Sequence, residues 1–61
     1  MAGKFVLRKN ERGQYSFALK AGDGETIATS ETYGGKASAK AGIDSVKENA
    51  SNASVDDQTG E

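Results

Sequence analysis

Sixty-one residues permit one small domain, and 34% hydrophobic residues with 7% aromatic give it a thin core. His 0 and Cys 0 exclude the usual zinc ligands, disulfides, thiol nucleophiles, iron–sulfur clusters and Ser-His-Asp or Cys-His catalysis. Lys+Arg 8 against Asp+Glu 9 leaves a formal net charge of -1, without the basic footprint of a typical nucleic-acid binder.

Phe5 and Leu7 alternate with Val6 and Arg8, the period-2 pattern of a half-buried strand over residues 3–9. Asn10-Glu11-Arg12-Gly13 supplies turn chemistry, with Gly13 available for positive φ. Tyr15, Phe17 and Leu19 then alternate with Ser16, Ala18 and Lys20, so the second strand carries its bulk on one face. Gly22-Asp23-Gly24 marks a second hairpin, and residues 25–30 form a third strand with Ile27 inward and Thr29 on the same side. The three strands make an antiparallel meander.

After Tyr33 the period changes from 2 to 3.6. Ala39, Ile43, Val46 and Ala50 fall on one narrow stripe, predicting a helix over 36–49. Gly35 is a weak N-cap, and Gly42 inside the helix costs about 1 kcal/mol against Ala while permitting close approach to the sheet. Asn49 to Asn52 closes the helix. Ala53-Ser54-Val55-Asp56 is a short candidate strand, although Val55 is the one large apolar residue beyond Val46. The expected organisation is therefore a single unit over 1–57 and a disordered tail over 58–61, α+β in class, with the order β-β-β-α-β.

The chemistry-bearing motifs are sparse. Gly34-Gly35-Lys36 at a helix start invites an anion, because backbone N–H groups and the helix dipole favour negative charge there. The P-loop spacing fails, since it demands Gly where Ser30 stands and Ser or Thr where Ala37 stands. Lys36, Lys40 and Lys47 border the apolar stripe, and Arg8, Lys9, Arg12 and Lys20 cluster on the first hairpin. Together they form the candidate anion or nucleic-acid contacts, against a plainer reading in which lysine stems cover the core edge. Asp56-Asp57 and Glu25 with Glu31 are the available carboxylate pairs, but neither sits in a deep apolar setting that would tune it for acid–base work. No catalytic residue, metal ligand or cofactor is assigned, and the chain is read as non-enzymatic.

The sequence Gly3-Lys4-Phe5, then Gly13-Gln14-Tyr15 with Phe17 and Leu19-Lys20-Ala21, then Gly24-Glu25, Ile27-Ala28 and Ser30-Glu31, then Tyr33, Lys36-Ala37, Gly42-Ile43, Val46-Lys47 and Asn49-Ala50 resembles the YegP-like family of small bacterial proteins. That resemblance implies β-β-β-α-β units assembled in pairs or as tandem repeats into a single sheet, with the C-terminal strands exchanged. It implies no activity and no catalytic residues. Two departures stand out: Gly34-Gly35 replaces the Thr or Ser common before the helix, and the last strand offers only Val55 before Asp56 and Asp57.

The resulting expectation is a small homodimeric binding or interaction module, with an unidentified protein partner. The alternative is a nucleic-acid-associated protein that uses the basic hairpin and the helix lysines. The first apolar stretch is only Phe5-Val6-Leu7, too short for a signal or a membrane span, so the expected location is cytoplasmic.

Overall fold

The computed structural model describes residues 2–61. Strands β1 (Lys4–Lys9), β2 (Tyr15–Lys20) and β3 (Thr26–Thr29) form one antiparallel sheet in the order β1-β2-β3, followed by helix α1 (Lys36–Ala50). The three-stranded sheet and the single helix agree with the expected α+β class.

Both hairpins are built the same way. Gly13 N–H donates to the Asn10 carbonyl at 3.1 Å, with Gly13 at φ 79, and Asn10 N–H closes the loop on Gln14 O at 2.9 Å. Gly24 repeats this on Ala21, at φ 93, and Ala21 N–H closes on Glu25 O. A tight turn followed by a left-handed residue matches the twist of the flanking strands, and glycine is the residue that enters that region without penalty. Side chains reinforce each turn: Asn10 Oδ1 accepts from the amides of Arg12 and Gln14, and Asp23 Oδ1 from that of Glu25.

Register sorts the strands into two faces, because residues directly opposite in an antiparallel pair share a side. Phe5 opposes Leu19, Leu7 opposes Phe17 and Lys9 opposes Tyr15 on one face. Helix α1 packs on that face. Phe17 is 8% exposed, and its ring meets Phe5 edge-on at 5.8 Å and stacks on Tyr33 at 6.0 Å. Ala39 on the helix is fully buried, while Ile43 and Val46 are half-buried along the same stripe. Gly42 lies so close to Tyr33 and Phe17 that a Cβ there would stand 2.6 Å from the Tyr33 hydroxyl. Close approach is therefore the physical role of a residue that otherwise weakens the helix.

Beyond β3 the pairing resumes at one point, where Tyr15 and Tyr33 exchange backbone hydrogen bonds of 2.8 and 2.7 Å. Between these, Ser30 acts twice on Phe17: its N–H donates to Phe17 O, and its hydroxyl accepts from Phe17 N–H at 2.9 Å.

One expectation needs correction. Ile27 does not point inward; it is 62% exposed. A register shift between Leu19 and Lys20 sets Thr26 opposite Lys20 and Ala28 opposite Leu19, so Ala28 takes the helix-side position and Thr29, opposite Ala18, lies on the other face. A single extra residue in a strand reverses the alternation beyond it. The segment 53–56 forms no strand within this chain, and Val55 is 92% exposed. Its one large apolar side chain has no packing surface of its own chain to drive pairing.

Candidate functional site

The face of the sheet turned away from α1 has no helix over it. Lys4, Val6 and Arg8 of β1 stand on it, opposite Lys20, Ala18 and Ser16 of β2, with Thr29 and Thr26 of β3 beyond. The twist of the sheet hollows this face into an open concavity of about 210 Å³. Arg8 and Lys20 lie on its lining with Ser16, Thr26, Thr29 and Ser30. Lys20 Nζ donates to Thr26 Oγ1 at 3.0 Å, which holds the ammonium at the wall.

The residues singled out from the sequence do not converge on one site. Arg8 belongs to the open face. Lys9, its neighbour, points to the other side, where its ammonium lies 5.7 Å from the Tyr15 ring it directly opposes. Arg12 is exposed in the first turn. Lys47 reaches to within 5.8 Å of the Phe5 ring, so its stem covers the core edge. Lys36 and Lys40 are exposed on the helix, on the side of the sheet opposite to Arg8. Gly34 is exposed and Gly35 half-buried. Gly35 takes an extended N-cap conformation without a side-chain cap, and the first turn carries Lys36 and no acidic residue. That start is electrostatically poor for a helix, which favours negative side chains there.

Sequence reasoning placed Lys20 in the hairpin cluster but attached it to Lys9 and Arg12, and left Lys4, Ser16 and Thr29 out. The missing signal is cross-strand register: the alternation separates Arg8 from Lys9 and joins it to residues far away along the chain.

The carboxylates stand apart from this face. Glu25, Glu31, Asp56 and Asp57 are all exposed. Asp57 is held below the ordinary aspartate range by the Thr59 hydroxyl, and then by the Thr59 amide, both donating to its Oδ1. Among the described residues no group of three or more acidic side chains gathers as a metal site, and no helix is long and apolar enough to cross a membrane.

Comparison with known proteins reaches most of the chain. Residues 10–57 match the model of a domain of unknown function, DUF1508. The UPF0339 protein YegP of Shigella flexneri is 59% identical over 49 residues, covering 80% of this chain and 44% of that protein, so the chain spans about half the length of such relatives. A UPF0339 protein of Treponema denticola is 49% identical over 55 residues, 90% of this chain and 95% of its own. The solution structure of a protein from Haloferax volcanii superposes with a TM-score of 0.78 at 34% identity, covering 90% of this chain and 93% of that one. On residues and backbone alike, the chain belongs to the YegP-like family of small proteins described by the DUF1508 domain.

Proposed function

We propose that this protein is a non-enzymatic binding or interaction module that works in the cytoplasm as a homodimer, with residues 53–57 of each copy completing the sheet of the other. The observation that carries this reading is excess surface. The chain exposes 4912 Å², whereas a compact monomer of its mass, 6.3 kDa, exposes roughly 3,700 Å². The difference, roughly 1,200 Å², exceeds the roughly 800 Å² per partner that a standard stable interface buries.

Part of this exposed surface lies on β3 and the C-terminal segment, as an exchanged-strand dimer requires. Every residue of β3 is exposed, so the sheet ends in an open edge. Val55 stands 92% exposed in a segment with no strand of its own to join. The radius of gyration, 13.5 Å, likewise exceeds the roughly 10.5 Å of a compact chain of this length. The absence of an assigned chemistry rests on the settings of the carboxylate pairs, which are exposed rather than enclosed in apolar surroundings.

Size exclusion with in-line light scattering tests the assembly. A dimer mass that persists at micromolar concentration is expected, and a folded species of monomer mass at that concentration overturns it.

A further inference from the structure

We propose that the open face of the sheet is a binding site for phosphate oxyanions, with Arg8 and Lys20 as its principal contacts. This rests on the reading of the chain as a binding module, but not on its dimeric state.

The whole chain is weakly acidic, at net charge -1. Its open sheet face nonetheless carries Lys4, Arg8 and Lys20, while the other open-face positions fixed by the register, Val6, Ser16, Ala18, Thr26 and Thr29, are uncharged. Three cations on one small face without an acid among them is an arrangement that folding does not favour. Lys4 and Lys20 are directly opposed in the β1–β2 pair, and like charges in that relation repel. An anion bound at Lys20 screens that repulsion.

The donors suit phosphate. Arg8 offers a planar fork for bidentate contact, Lys20 a point charge, and Ser16 and Thr29 further hydroxyl donors among the lining residues. Lys20 is already held at the wall by Thr26, so less freedom is lost on binding. The concavity of about 210 Å³ is smaller than a typical pocket for a whole organic ligand, which takes roughly 300–1,000 Å³. It fits the phosphate part of a ligand whose remainder stays in water. Arg8 opposes Ser16, four residues along β2 from Lys20, which sets the backbone positions of the two residues roughly 13 Å apart along the strand. That spacing favours an anion with several phosphate centres. Such centres come from two sources, a free polyphosphate ester or the backbone of a single-stranded nucleic acid.

Amide shifts of the isotope-labelled full chain, at low salt, test the site with three probes: sodium tripolyphosphate, a single-stranded oligonucleotide and an oligoglutamate peptide of comparable charge. Shifts concentrated at Arg8, Ser16, Ala18, Lys20 and Thr29 are expected with tripolyphosphate. Tighter binding of the oligonucleotide, weakening steeply with salt, assigns the polymer as source, and its failure to bind assigns the free ester. The R8Q/K20Q variant should lose about tenfold or more in affinity, equivalent to one or more lost charge-assisted contacts. K36Q/K40Q, on the helix, should bind as the parent does. Arg8 is exposed, so R8Q alone serves if the double variant lacks a native spectrum. The proposal is overturned by unchanged spectra, by shifts centred on Gly34 to Lys36, by equal losses in both double variants, or by oligoglutamate binding as tightly as tripolyphosphate. Light scattering reads the oligomeric state separately, so failure of the site and failure of the dimer are distinct results.

Discussion

Gly42 stands against the edge of Tyr33: a Cβ built on it would lie 2.6 Å from the Tyr33 hydroxyl and 3.0 Å from the ring carbon that bears it. Tyr33 has little room to withdraw, since its ring is stacked on Phe17 at 15° and its backbone is bonded to Tyr15 on both sides. In G42A the helix gains about 1 kcal/mol of propensity and loses about 1–3 kcal/mol to overpacking. The expected balance is a destabilisation of up to about 2 kcal/mol in chemical denaturation at fixed protein concentration. Pairing it with Y33F, which removes the nearest atom, should recover part of the loss. A stabilised G42A would mean that the helix does not seat on the sheet at this glycine.

Ser30 is the second point where one side chain holds the sheet together. Its hydroxyl accepts from the N–H of Phe17, the most buried residue of β2, and donates to Glu31 O at 2.7 Å. S30A leaves the Phe17 amide without that acceptor in a part-buried position, at a cost of about 1–3 kcal/mol. S30T keeps the hydroxyl and should retain most of the stability. Faster exchange of the Phe17 amide in S30A, with little change in S30T, is the direct readout. Equal exchange rates in all three proteins would contradict the role.

Most of the fold is legible along the chain because its signals are local. Alternation in Phe5 to Arg8 and Tyr15 to Lys20, Gly13 and Gly24 in the turns, and the stripe through Ala39, Ile43 and Val46 define β1, β2 and α1 to within a residue or so. What is not legible depends on pairing. The side taken by Ile27 turns on a one-residue irregularity against Lys20, which no pattern within the strand announces. The Tyr15–Tyr33 bridge joins residues on either side of a hairpin and a break. The candidate site suffers most, since adjacency in sequence grouped Arg8 with Lys9, whereas the sheet sends them to opposite faces and sets Arg8 in line with Lys20. A sequence can show which residues alternate, but the partners across the strands emerge only with the register.

The C-terminal tail has a local electrostatic device of its own. Asp57 Oδ1 accepts from both the hydroxyl and the amide of Thr59, at 2.6 and 3.0 Å, and these donors favour the ionised form. Because the carboxyl is held below its ordinary value, the turn is complete above the ordinary aspartate range and is lost as pH falls through the lowered value. An acid titration followed by NMR should therefore show the Thr59 amide moving together with the Asp57 carboxyl, at a midpoint below that of an unperturbed aspartate. D57N keeps an acceptor and removes the ionisation, so its Thr59 amide should no longer respond in that range. A parent midpoint at or above the ordinary value would break the link between these bonds and the charge.

Val55 separates the exchanged-strand dimer from any other form of association. At 92% exposure it contributes almost nothing to packing within its own chain, so V55D should leave the helix and the meander intact. In a dimer whose sheet is completed by residues 53–57, the same side chain passes from water to an interface, where full burial of a valine is worth about 1.5–3 kcal/mol. Placing a charge there adds a desolvation cost to the lost contact. The dissociation constant should rise by at least about tenfold, read by sedimentation over a range of concentrations, while the amide spectrum of residues 4–50 keeps its native dispersion. Deletion of residues 53–61 should weaken association at least as much, because it removes the strand backbone as well as the side chain. If both variants associate as tightly as the parent, the second copy meets this chain through some other surface, and the C-terminal segment has no part in it.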